Sequence, residues 1–272
     1  MKKSRIQGTW FVMLVQLVVL LIWHFARPAL LPDTALNTMG YYLLLIAQEA
    51  ILFGIPALAL RPWWSHGVHR SPHWRSGCVL ALPAGVLLAL LVNPLAAGWS
   101  SLLGMAPQEM PLPASPVEWL MLVLAMVIVP ALVEEAYFRG GVLCGLARGV
   151  GGPAAFALTV VIFVLMHGRI GALPAHLACG VLFTLTMLRY GKLWPPILMH
   201  LCYNAVTLAL TWTGVVLPWL VLIPVVLALA GMMIFEKRRI VWCEHKPIDM
   251  VDATLGAITM LVLVFYFLVQ HA

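Results

Sequence analysis

"WFVMLVQLVVLLIWHFA" (residues 10–26) contains Gln16 and His24 but no Asp, Glu, Lys or Arg. At 1.5 Å of rise per residue, about 20 such residues in a helix cross the hydrocarbon core of a bilayer. With its flank, residues 8–26, the stretch is too long for a signal-peptide core. It also lacks a small-residue cleavage site, so it reads as a retained signal anchor. The same pattern recurs at about 40–60, 77–99, 117–147, 153–169, 172–189, 194–213, 216–235 and 251–270. The chain is 63% hydrophobic and 10% charged, against roughly 25% charged for soluble domains. The reading is an all-α, polytopic integral membrane protein of about eight or nine transmembrane helices. It forms a single membrane domain over residues 1–272, with amino-terminal helices at 1–115, a core at 116–213 and carboxy-terminal helices at 214–272.

The fourth run is over-long, and Gly140, Gly141 and Gly145 predict a kink or a re-entrant turn in it. Gly168, Gly171 and Pro174 separate a short fifth run from a short sixth. Basic residues give an orientation. With the amino terminus inside and the spans alternating, all of the 16 Lys and Arg except Arg27 and Arg169 fall on inner segments, as the positive-inside rule asks. The net charge of +6 therefore marks loops and gives no reason to expect nucleic acid. "RPWWSHGVHRSPHWRSG" (61–77) reads as an interfacial belt rather than a heme or metal site. The five cysteines, Cys78, Cys144, Cys179, Cys202 and Cys243, have no metal-like spacing and read as packing residues. No internal repeat is present.

A charge near the bilayer centre costs about 2.5–3.5 kcal/mol on insertion scales, so each one needs a reason. Glu134, Glu135 and Arg139 lie in the fourth run, His167 ends the fifth, and His200 and Asn204 lie in the seventh. Residues four apart share a helix face, which pairs Glu135 with Arg139, Phe163 with His167 and His200 with Asn204. Consecutive residues diverge by about 100°. If Glu135 neutralises Arg139, Glu134 is left to face a shared polar cavity. Depths agree for two groups. Glu134 stands fourteen residues before Arg148 and His167 fourteen after Pro153, about 21 Å each. His200, six residues past Trp194, comes out shallower. Gln48, Glu49 and Asn93 are further polar residues within spans, read mainly as helix-to-helix hydrogen bonders and secondarily as the lining of a substrate path. His176 is left without a role.

EExxxR (Glu134, Glu135, Arg139), FxxxH (Phe163, His167) and HxxxN (His200, Asn204), in that order on separate apolar helices, resemble the three motifs of the CAAX-protease and bacteriocin-processing family. These are glutamic intramembrane endopeptidases and include the eukaryotic type II CAAX prenyl endopeptidase. The resemblance covers about residues 117–210. It implies that Glu134, assisted by His167, activates water, that His200 and Asn204 stabilise the oxyanion, and that Glu135 and Arg139, with Phe163 as a wall, support the site. It implies no cofactor, and its partners are the bilayer and a membrane-associated protein or peptide substrate.

Two alternatives stay open. Two Glu and two His are also zinc-ligand types, although no HExxH pair is present and Asn is a poor zinc ligand. A non-catalytic membrane immunity or transport protein is the other, although no repeated halves of the transporter kind occur. Cys202 points away from the face shared by His200 and Asn204, which disfavours a thiol nucleophile. The compact chain with short loops reads as a protein of the bacterial cytoplasmic membrane. That favours maturation of a bacteriocin or pheromone, or trimming of a membrane-anchored carboxy-terminal sorting segment, over cleavage of prenylated CAAX proteins. The oligomeric state is not legible.

Overall fold

The computed structural model describes residues 5–30, 37–64, 68, 71–105, 111–235 and 249–270. Among these, every regular element is helical. The principal helices are α1 (Arg5–Leu30), α2 (Thr38–Leu60), α3 (Trp74–Leu102), α4 (Pro116–Ala147), α5 (Gly152–His167), α6 (Leu173–Tyr190), α7 (Trp194–Thr213), α8 (Leu222–Phe235) and α9 (Met250–Val269). α1 from Gln7 onward, α2, α3, α4, α6 with its preceding turn, and α9 are long and apolar enough to cross a membrane. α5 and the α8 segment are apolar but shorter. The protein is thus a multi-pass membrane protein. Lys2, Lys3, Arg70, Lys237, Arg238, Arg239, Lys246 and Cys243, which entered the reading of charge and cysteines, lie outside the described residues.

Proline shapes the helices near the site. Pro56 has no N–H to give the carbonyl of Leu52 and its ring crowds that turn, so α2 widens over Ala50–Gly54 before it. The amide of Gln16, from α1, donates instead to the Leu52 oxygen at 2.5 Å. Pro130 does the same in α4, preceded by a widened turn at Leu124–Ile128. A third widened stretch, Glu135–Leu143, carries Glu135 and Arg139.

The glycines of α4 serve packing, and the helix continues through them to Ala147 without the expected re-entrant turn. A Cβ at Gly140 would meet the Trp64 indole at 3.1 Å, and one at Gly141 would meet Leu60 at 2.6 Å. Gly145 lies as tightly against Thr9 of α1. α4 runs on past the end of α2, whose last residue, Leu60, lies against Gly141. Counting residues from the helix ends puts His200 shallower, but the structure sets it beside α4, with its Nδ1 2.9 Å from Glu135 Oε1.

α5 and α6 are separate helices. α5 closes on Gly168, whose φ of +56° is a left-handed conformation that glycine adopts without strain. The short turn Ile170–Ala172 follows, held to α3 by Trp99 Nε1 and Ser100 Oγ donating to the carbonyls of Ile170 and Gly171 at 2.8 and 2.9 Å. α3 lies tightly against α7, because Gly85 offers no side chain where the backbone of Met199 passes. Asn93 proves to be a clamp. Its amide donates to the Val215 carbonyl at 3.2 Å and accepts from the Leu217 N–H at 2.7 Å, which fixes the loop after α7.

Candidate active site

The charged residues of α4 divide between two neighbours. Glu135 and Arg139, one turn apart, are both fully buried and form an ion pair of 2.9 Å between Oε1 and Nη1. The same oxygen takes a hydrogen bond from His200 Nδ1 on α7, also at 2.9 Å. A carboxylate only accepts, so Nδ1 of His200 carries the hydrogen. Arg139 Nη2 reaches the Gly180 carbonyl of α6 at 3.5 Å. Its guanidinium lies over the rings of Phe163, Phe183 and Phe138 at 4.5, 5.3 and 5.8 Å. A guanidinium is weakly hydrated and stacks well on aromatic faces, which explains how it is carried where lipid surrounds the bundle.

Glu134 turns away from this group. Its Oε2 approaches Nε2 of His167 on α5 at 3.4 Å, within ion-pair reach but without an aligned hydrogen bond. His167 Nδ1 stands 2.7 Å from the Phe163 carbonyl one turn earlier. A carbonyl also only accepts, so Nδ1 donates. Nε2 therefore presents a lone pair toward Glu134, or a second N–H when the ring is protonated. The Phe163 ring packs on the imidazole at 4.3 Å between centroids, and Phe183 stacks on His200 at 4.7 Å.

The structure thus brings six of the seven candidate residues into two linked groups, Glu134–His167–Phe163 and Glu135–Arg139–His200. The seventh, Asn204, lies one turn beyond His200, half-buried and without a hydrogen bond to the others. The side chain of His167 is 20% exposed, the most open of the charged and imidazole groups; those of Glu135 and Arg139 show no exposed surface. Sequence reasoning passed over His176 of α6, whose ring stacks on His167 at 4.3 Å with a tilt of 39°. It also passed over Gly85, because a glycine that admits a neighbouring backbone leaves no periodic signal.

Donor placement bears on the zinc reading. Among the described residues no group of three or more His, Cys, Asp or Glu is placed to hold a metal ion. His200 Nδ1 and Glu135 are committed to each other and to Arg139, so the two His and two Glu do not converge on one point. Among the described residues Cys78, Cys144, Cys179 and Cys202 form no disulfide.

Residues 116–206 match the family model described as type II CAAX prenyl endopeptidase Rce1-like. That segment contains all seven candidates. No curated protein and no solved structure matches the chain.

Proposed function

We propose that this chain is a glutamic intramembrane endopeptidase with Glu134 as its base, a reading supported by the match of residues 116–206 to the type II CAAX prenyl endopeptidase family model. The observation that carries the reading is the separation of two adjacent carboxylates. One is neutralised by Arg139 and His200, and the other faces an imidazole whose tautomer is set by the Phe163 carbonyl.

The chemistry follows from those contacts. A water between Glu134 and the scissile carbonyl gives its proton to the carboxylate. His167 holds that carboxylate and takes part in proton transfer through Nε2. The hydroxide adds to the carbonyl carbon, and negative charge develops on the oxygen. His200 donates its Nδ1 hydrogen to Glu135, so it stabilises that oxyanion through Nε2 only as an imidazolium. The amide of Asn204, on the same face of α7, is the second donor. Preorganised donors of this kind are each worth about 10²–10³-fold in rate. Glu135 and Arg139 are positioning residues, and Phe163 walls the site.

The substrate is a membrane-associated protein or peptide. The family makes a prenylated CAAX peptide the first class to present, with bacteriocin-like precursors and carboxy-terminal sorting segments next. We place the chain in a bacterial cytoplasmic membrane with its amino terminus inside, on the lysine and arginine asymmetry.

The test is Glu134→Gln in purified, detergent-solubilised protein, together with mapping of protein termini in a Glu134→Ala strain. Lost cleavage with unchanged thermal unfolding is expected, and chelator-treated wild type keeps its rate. Unchanged termini in the strain, or a Gln variant that cleaves normally, overturns the reading. A rate abolished by chelation and restored by zinc overturns the metal-free chemistry alone.

A further inference from the structure

One carboxylate near the site lies outside the matched segment. Glu49 ends the regular part of α2, immediately before its widened turn. Its Oε2 is buried and bonded to no described group. α2 and α4 run in the same direction. Gly54 faces Val133, Phe53 packs on Tyr137 and Phe138 at 5.7 and 5.6 Å, and Leu60 covers Gly141. That register sets Glu49 level with the stretch 128–134 of α4, within about two helical turns of Glu134. Glu134 Oε2 is likewise buried without a hydrogen bond. The charges of Glu134 and of Arg169, in the turn after α5, both act on Glu49. No described residue forms an ion pair with Glu49. A carboxylate held there with one oxygen buried and no ion-pair partner is costly, which argues for a use.

We propose that Glu49 is a further catalytic residue, contributed by α2, that donates the proton to the amine leaving the scissile peptide bond. The inference rests on the reading of Glu134 as the base. Two carboxyl groups in one poorly solvated site share a single proton between them, and paired carboxyls divide acid and base roles in this way. Water loses its proton to the Glu134 carboxylate and its oxygen bonds to the carbonyl carbon. As the carbon–nitrogen bond breaks, the nitrogen takes the proton of the Glu49 carboxylic acid. The proton on Glu134 then passes to Glu49 and restores the resting pair. The sum is one peptide bond and one water giving one acid and one amine.

An amine leaves only when protonated, whereas an alcohol leaves far more readily. The role is therefore read by comparing a prenylated CAAX peptide with its ester analogue, in which an oxygen replaces the scissile nitrogen. The expected result for Glu49→Gln is a loss of about 10²-fold or more in kcat on the amide, the range of general acid catalysis. Ester turnover should stay within about threefold of wild type, which also shows the variant to be folded. Equal losses on both substrates make Glu49 structural, and equal retention makes it a bystander; either overturns the inference and leaves the Glu134 reading intact. A wild type that cuts neither substrate overturns both on this substrate class.

Discussion

Gly85→Ala tests whether the closeness of α3 to α7 places His200. A methyl carbon at position 85 would lie 2.3 Å from the Met199 carbonyl oxygen and 2.8 Å from Cys202 Cβ. Ordinary contact begins near 3.4 Å, so α7 must retreat by about 1 Å. The nearest obstacle is backbone, and no side-chain rotation relieves it. His200 adjoins Met199, so a shift of that size in any direction disturbs the 2.9 Å contact that joins it to Glu135. A displacement of that size at a reacting group costs about 10²-fold in rate. Overpacking costs about 1–3 kcal/mol in stability. The assay is peptide cleavage by the purified variant beside thermal unfolding in the same detergent. Gly231→Ala is the control, because a Cβ there meets nothing within 4 Å. A folded Gly85→Ala protein that cleaves within about threefold of wild type would refute the reasoning.

Two further substitutions probe the supports of the site. Arg139→Lys keeps the charge but loses both the fork onto Glu135 and Gly180 and the stacking on three phenylalanines; about 1–3 kcal/mol of stability should go. Arg139→Ala, which leaves the buried Glu135 with His200 as its one remaining partner, should cost about 3–5 kcal/mol, and an unshifted unfolding transition in detergent would contradict it. Asn93→Ala removes both bonds to the loop after α7. It should lower stability by about 1–3 kcal/mol with cleavage unchanged, and lost cleavage at unchanged stability would tie that loop to the reaction.

The helices were legible because lipid demands long apolar runs, and proline and glycine punctuate them. The run at 194–213 coincides with α7, and 40–60 differs from α2 by two residues at one end. The pairing of Glu135 with Arg139 followed from helical spacing, since residues four apart share a face whatever surrounds them, whereas its bond from His200 did not. Three features were not legible. The bond of His200 to Glu135 is a contact between α7 and α4 that no spacing within either helix announces. The widened turns answer to Pro56 and Pro130, yet the third, over Glu135–Leu143, has no proline and no local cause in the sequence. Glu49 read as a helix-to-helix hydrogen bonder or the lining of a substrate path, because nothing in its own segment says how near it comes to Glu134.

The aromatic cage around Arg139 also constrains how the chain is made. α4 leaves the ribosome with two carboxylates and a guanidinium, but Phe163 and Phe183 emerge later, and His200 later still. At about 2.5–3.5 kcal/mol for each charge left facing lipid, α4 is a poor candidate for release into the bilayer alone. It should linger at the insertion machinery until α7 has been synthesised, and the four helices should then partition together as a preassembled unit.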